Sequence, residues 1–235
     1  MEINPLFEDN HLLALNKPNG LLTQSDPYGN DSLEEFARIY IKQKYNKKGK
    51  VFLHAIHRID RPVSGIVLFA KTAKALSRMN EAFKNKKVQK NYLALVHGNT
   101  EFEKITLKNW IKKNSKLNKS FIVKENSKNA QEAILHAKKL AVKGNVSLLH
   151  IKLETGRHHQ IRCQLAHIGH PIVGDSKYGS FISTGVAIYL HAFQVTFKHP
   201  INNEKVNLCV YPPENLTHWK SFLEDIQSNK ILKNS

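Results

Sequence analysis

Apolar residues come along this chain in short bursts separated by polar turns, and the spacing inside each burst sorts strands from helices. Leu12-Leu-Ala-Leu15 is followed by Asn-Lys-Pro-Asn-Gly20 and then by Leu21-Leu-Thr23, which reads as strand, turn and strand. Asp31-Ser-Leu-Glu34 has the form of a capping box, with Leu33, Phe36, Ala37 and Tyr40 at helical spacing behind it. That helix runs out in the lysines between Lys42 and Lys50, cations that suit a negative helix end. Gly65-Ile-Val-Leu-Phe-Ala70 is apolar throughout and predicts a strand buried on both faces. Thr72 caps a second helix with Leu76, Met79 and Phe83 on one side, closing at 84–87, and Lys90-Asn-Tyr-Leu-Ala-Leu-Val-His-Gly98 alternates as a strand that stops on glycine.

Residues 100–130 are the least periodic part. Lys112, Lys113, Lys116 and Lys119 stand there among Asn and Ser, as an insertion that contacts a polyanion or as a solvated loop with hairpin pieces. Strands resume at Ala133–Ala141 and Val146–Leu153. His159 to Ile168 has helical spacing with Ile161, Leu165 and Ile168 on one face and Gly169 as its stop. Pro171 to Asp175 is a short turn-bounded element, Val186–Phe197 and Lys205–Val210 are strands, and a helix from Asn215 turns Trp219, Phe222, Leu223 and Ile226 inward. Strands outnumber helices and the helices are interspersed, so the expected class is α+β with a mainly antiparallel mixed sheet flanked by helices and loops. With no internal repeat and no Pro/Ser-rich linker, a single domain over 1–235 is the economical expectation.

Charge sharpens the picture. Thirty-six Lys and Arg against nineteen Asp and Glu give a net charge of +17, which fits a partner rich in phosphate. A generic lysine-rich surface is the competing explanation, since charge bears on solubility and partners rather than on fold. Cys163 and Cys209 form no Cys-x-x-Cys pattern, so neither a disulfide framework nor a thiolate zinc site is expected. No stretch approaches the length of a membrane span and Met1 to Asn10 has no leader pattern, so the expectation is a soluble, cytoplasmic chain.

Two segments concentrate the chemistry. His57-Arg-Ile-Asp-Arg-Pro-Val-Ser-Gly65 sets one carboxylate, Asp60, between two arginines, and Thr155-Gly-Arg-His-His-Gln-Ile-Arg162 supplies further cations about a hundred residues on. Opposite charge within a few Å lowers an aspartate pKa by roughly 1–3 units, which keeps a nucleophile or base ionised. Asp60 as a turn cap or structural ion pair is the other reading of the same residues. Pro62 fixes the backbone there and Gly65 permits a close approach or an unusual dihedral. Arg162, beside the apolar face of its helix, could offer a bidentate fork to a half-buried carboxylate, or lie exposed on the helix flank. Tyr92 suits either cross-strand packing or stacking on an unpaired base. His54-x-x-His57 and His167-x-x-His170 could each give a metal two ligands, but no Cys or Glu companion stands at zinc spacing, so no metal is expected. Gly-x-Gly-x-x-Gly, the Walker loop and Gly-x-Ser-x-Gly are all missing, which removes support for nucleotide-cofactor and serine-hydrolase chemistry.

Taken in order, four segments resemble the RluA-type family of pseudouridine synthases. They are Leu15-Asn-Lys-Pro-Asn-Gly-Leu21, the His57–Gly65 segment, Lys90–Gly98, and Leu153-Glu-Thr-Gly-Arg-His-His-Gln-Ile-Arg162 with Ile168-Gly-His-Pro-Ile-Val-Gly-Asp-Ser-Lys-Tyr-Gly179. The resemblance runs from about residue 10 to 200 and implies that family's catalytic fold, with a central RNA-binding cleft. It implies isomerisation of uridine in ribosomal or transfer RNA without any cofactor, with RNA as partner and the chain a monomer. On this resemblance Asp60 is the catalytic carboxylate, Tyr92 stacks on the target base and Arg162 pairs with Asp60. Arg58 fills the space the flipped uridine leaves, and His57, Arg61, Lys90, Arg157, His159 and Gln160 are expected at the RNA. Ile59 stands where leucine is common and His158 where a hydroxyl residue is frequent, changes that bear on sequence context. About ten residues precede the first motif, so the small S4-like RNA-binding domain carried by many relatives is not expected here. The rival readings are a catalytically silent RNA-binding protein on the same fold and a metal-dependent nuclease built on the histidines.

Overall fold

Two helices begin in the same way. In a computed structural model describing residues 1–228, Ser32 Oγ accepts the Glu35 amide at the start of α1 (Leu33–Lys44). Thr72 Oγ1 likewise accepts the Ala75 amide at the start of α2 (Ala73–Lys84). Each cap satisfies one of the amides a first turn leaves unpaired. The box expected from Asp31 to Glu34 is therefore displaced by one residue. Glu34 is buried instead, and its carboxylate accepts the Gln24 side-chain amide and the Ala55 backbone amide, each at 2.9 Å, and pairs with Arg38.

The described residues form two compact units, each assembled from separated pieces of chain. The first comprises Met1–Lys90 with Ala192–Tyr211. Its strands are β1 (Phe7–Glu8), β2 (Leu12–Lys17), β3 (His54–Ala55) and β4 (Ser64–Ala70). β4 is buried along its whole length and pairs antiparallel with β2, from Leu12 against Ala70 to Lys17 against Gly65. The second strand expected at Leu21–Thr23 shrinks to a single bridge between Leu22 and Ser32. The reason is competition for backbone carbonyls: that of Leu21 accepts from Lys17 Nζ, and those of Leu22 and Thr23 accept the Leu33 and Glu34 amides at the start of α1. Met79 and Ala75 of α2 enter a core with Leu12, Ala14, Ile66 and Leu68, so the helical periodicity and the apolar run meet as the pattern requires.

β5 (Gln89–His97) carries the chain into the second unit, Asn91–His191 with the chain from Pro212. There β6 (Lys104–Asn114), β7 (Lys119–Val123), β8 (Gln131–Lys143) and β9 (Val146–Leu153) follow, and the strand order is β5-β9-β8-β6-β7. The supposed irregular stretch at 100–130 is thus largely a regular hairpin of β6 and β7. Its alternation is masked in the sequence because lysines occupy the solvent side of one strand and β7 is an edge. α3 (Gln160–His167) is buried at every position from Gln160 to Leu165, and a 3-10 turn at Ser176–Tyr178 follows. β10 (Leu190–Lys198) returns the chain to the first unit and starts four residues later than the expected Val186. It continues the order β1-β2-β4-β10, with β3 beside β4 and β11 (Lys205–Cys209) beside β10. α4 (Thr217–Ser228) turns Trp219, Phe222 and Ile226 inward, as its spacing required. Ladder pairings from β1 through β11 are antiparallel wherever their register is defined, and the four helices intersperse, so the fold is α+β. Among the described residues no helix is long and apolar enough to cross a membrane.

One buried acid ties the first unit together at its edge. Glu8 accepts from Tyr40 (2.9 Å), Tyr45, Lys44 and Lys71 (each 2.8 Å). Burial pushes its carboxyl up, but the four donors outweigh this and hold it at about 2. A carboxyl lowered on folding stabilises above its unfolded pKa and loses that contribution as pH falls towards the folded value. Glu8→Gln is therefore expected to cost about 1–3 kcal/mol at neutral pH. It should also flatten the loss of stability between about pH 4.5 and 2, read by urea melts across that range. Parallel acid limbs in the two proteins would refute the assignment.

Candidate active site

The loop that carries Asp60 is held by the loop that follows β2. Lys17, 0% exposed, turns its ammonium inward and donates to the carbonyls of Pro18 (2.9 Å), Leu21 (2.7 Å) and Arg61 (3.2 Å). Gly20 and Arg61 exchange bonds: the Gly20 amide donates to the Arg61 carbonyl at 2.8 Å, and Arg61 Nε donates to the Gly20 carbonyl at 2.9 Å. Asn19 Nδ2 reaches the Pro62 carbonyl at 2.6 Å, and Thr23 Oγ1 donates to the Ile59 carbonyl at 3.0 Å. Inside this clasp the Val63 amide closes a turn onto the Asp60 carbonyl at 3.0 Å. The carboxylate is half-buried. Burial pulls the Lys17 ammonium down to about 7; the Asp60 charge works against that fall and the Arg61 charge adds to it.

The neighbours of Asp60 divide between support and surface. His57 turns inward: its Nε2 accepts the Leu68 amide at 3.2 Å and its ring stacks on Phe83 at 5.2 Å. Burial, with the Lys90 charge adding, pulls that imidazole down to about 3, so it stays neutral. Lys90 is half-buried with its ammonium 5.8 Å from the Phe83 ring centroid, and burial lowers its pKa as well. Arg58 and Arg61 are exposed. Gly65 justifies both of its expected uses. Its φ is +116°, and a Cβ there would lie 2.3 Å from the Ala192 carbonyl oxygen.

In the second unit the motif residues form their own network. Tyr92 is buried in β5 at 8% exposure. Arg162 is not on a helix flank but buried, at 4%, and grips Asp175 with both prongs: Nε to Oδ2 at 2.7 Å and Nη2 to Oδ1 at 2.9 Å. The Tyr178 ring covers the guanidinium at 5.1 Å. Gln160 stitches the preceding loop. Its Oε1 accepts from Thr155 Oγ1 (2.8 Å) and the Arg157 amide (3.0 Å), and its Nε2 donates to the Ile134 carbonyl (3.1 Å). Arg157 is exposed and its Nε donates to the Glu132 carbonyl at 2.9 Å. His159 opens α3 at φ +52°, a left-handed conformation uncommon outside glycine, with its Nδ1 3.0 Å from the Tyr178 hydroxyl and its ring stacked on His158 at 3.8 Å.

These residues lie in a stretch that known proteins share. Residues 11–167 match the family model described as RNA pseudouridylate synthase, a span that contains Asp60, Tyr92 and Arg162. The ribosomal large subunit pseudouridine synthase C of Buchnera aphidicola from Baizongia pistaciae is 38% identical over 88% of this chain and 66% of its own length. The tRNA pseudouridine synthase C of Pasteurella multocida is 32% identical over 89% of this chain and 91% of its own. The chain belongs to the RluA-type pseudouridine synthases. In fold it is similar to a solved human structure, RNA Pseudouridylate Synthase Domain Containing 4, with a TM-score of 0.77 at 23% identity over 94% of this chain and 93% of that one.

Within this pseudouridine synthase, two supporting residues escaped the sequence reading. Lys17 looked like one lysine among many, and only its place in Asn-Lys-Pro-Asn-Gly before a turn hinted at burial. Asp175 was visible as a turn residue, thirteen positions beyond the arginine it holds. Of the two histidine pairs, His57 Nε2 accepts the Leu68 amide and His170 Nδ1 lies 2.9 Å from the His97 carbonyl. Among the described residues no three His, Cys, Asp or Glu side chains converge. Asp175→Asn takes the counter-charge from a buried guanidinium and is expected to cost about 3–5 kcal/mol of stability. Asp175→Glu, which keeps the charge, should recover part of this in denaturant melts; equal midpoints for wild type and Asn variant would contradict the pairing.

Proposed function

We propose that this chain is an RNA pseudouridine synthase that isomerises specific uridines in ribosomal or transfer RNA, with Asp60 as its catalytic carboxylate. Tyr92 stacks on the flipped base, Arg162 pairs with Asp60, and Arg58 occupies the space the uridine vacates. The reading includes no cofactor, a monomer in the cytoplasm, and RNA contacts from Arg61 and Arg157 at the exposed ends of the two loops. The observation that carries it is the clasp of Lys17, Asn19, Gly20 and Thr23 on residues 59–62, which fixes the backbone around one half-buried acid in a chain of net charge +17. Family membership supplies the reaction that such an acid serves.

The chemistry follows from what the substrate demands. A uridine in a helix shields its sugar bond, so it must leave the stack, and an aromatic face offsets part of the lost stacking. The bond between ring nitrogen and sugar then breaks, the uracil turns, and a ring carbon bonds to the same sugar carbon while its proton passes to the nitrogen. Asp60 can attack the sugar carbon or remove a sugar proton; both need an ionised carboxylate held still. A loop fixed through its backbone carbonyls helps to meet that requirement.

Asp60→Asn keeps the backbone turn, whose acceptor is the main-chain carbonyl, and removes the acid. Release of tritium from RNA labelled at the uridine C5 position should fall by at least about a thousandfold, while RNA binding persists. Wild-type release by the variant would sink the proposal. Tight RNA binding without release in the wild type would indicate the silent RNA-binding protein instead.

A further inference from the structure

The geometry of the β6–β7 hairpin points to a second RNA contact, a platform for an unpaired stretch outside the reacting nucleotide. It uses Phe121 and Trp110 as stacking faces and Lys108, Lys112 and Lys119 on the phosphates. This inference rests on the RNA-modifying reading given above. Between Glu103 and Glu125 the sequence holds seven lysines and no acid. The antiparallel register sets Lys112 against Phe121, Trp110 against Val123 and Asn114 against Lys119, and directly opposed side chains share a face. Lys108 lies two positions before Trp110 on that same face. The other face is accounted for, since Ile111 and Ile122 pack with Cys163 and Ala166 of α3.

Phe121 is 40% exposed and Trp110 half-buried, and the Lys119 ammonium stands 5.6 Å from the Phe121 ring centroid. Glu132, opposite Trp110, is held by Lys108 at 3.0 Å. Lysines on an edge strand discourage sheet-to-sheet pairing, and that alone would account for them. It would not account for an open phenyl ring set between two of them. A flat ring flanked by cations matches a nucleotide, with its base face and its charged backbone side by side. Duplex RNA hides those base faces, so the platform selects unpaired RNA. An acidic protein segment would engage the lysines and leave the ring unused.

The full chain, a single-stranded dodecamer of uridylate and an RNA duplex of the same length provide the test. Trp219 is buried, so of the two tryptophans Trp110 is the one whose fluorescence should be quenched by the dodecamer, and Trp110→Phe should abolish the signal. Phe121→Ala should weaken dodecamer binding by about fivefold or more. Lys112→Gln should reduce the slope of log affinity against log salt by about 0.7. Duplex affinity should change far less in the Phe121→Ala variant. The side chains of Phe121 and Lys112 are exposed, so unchanged melting curves can verify folding. Failure of the wild type to bind the dodecamer, or a Phe121→Ala, Lys112→Gln double variant that binds it with wild-type affinity and slope, would overturn the platform. Polyglutamate displacing the dodecamer more effectively than RNA does would overturn it too. Asp60→Asn run in parallel separates the two readings. Normal dodecamer binding in a protein that makes no pseudouridine leaves the platform standing, whereas full isomerisation with unaffected hairpin variants removes the platform alone.

Discussion

A lysine ammonium withdrawn from water is the constraint on which the Asp60 loop depends. Burying such a charge is costly unless it is surrounded by acceptors or opposed by an acid. Lys17 has both: carbonyls from Pro18, Leu21 and Arg61, and the charge of Asp60. Because the acceptors come from two different loops, satisfying the ammonium forces those loops together. The exchange between Gly20 and Arg61 and the bond from Asn19 to Pro62 then fix their register. The backbone around Asp60 is thus fixed from the loop that follows β2.

The second unit reaches a similar end with different chemistry. Arg162 is planar and forked, so it takes the Asp175 carboxylate in one orientation, where Lys17 as a compact charge gathers several carbonyls. Asp175 sits on the turn that follows α3, and its backbone also accepts the amides of Tyr178 and Ser180. The turn that holds the guanidinium therefore also seats the ring that covers it. Exchanging lysine and arginine between these two sites would satisfy neither, although both are buried cations with acidic neighbours.

Much of this was legible in the sequence where burial follows a simple period. The run at 65–70, the spacing of Leu76, Met79 and Phe83, and the closing helix around Trp219 gave elements within a few residues of those observed. Gly65 was legible as a special backbone position, though not that the Ala192 backbone is what excludes a side chain there. The hairpin at 104–123 was obscured because lysines on an open face look the same in a strand as in a loop. The cap at Ser32 was misplaced by one residue because Asp31-x-x-Glu34 and Ser32-x-x-Glu35 are equally good local patterns, and only the burial of Glu34 chooses between them. The partners of Lys17 and Arg162 were beyond reach for a deeper reason. A buried charge is recognisable only from the groups that compensate it, and those come from other loops.

The same distinction changes what the net charge of +17 means. Lys17 is spent on carbonyls, Lys71 on Glu8 and Arg162 on Asp175, while Lys90 is half-buried against Phe83. None of these can release a full complement of counterions from RNA, because each already has a protein environment in place of water. Cations that stay exposed, such as Arg58, Arg61, Arg157 and Lys112, keep their water, and theirs are the contacts with a polyanion that would vary with salt. A contact of that kind with a phosphate carries no sequence information of its own. The net charge therefore overstates the cations open to a partner, because several are committed inside the fold to carbonyls and carboxylates.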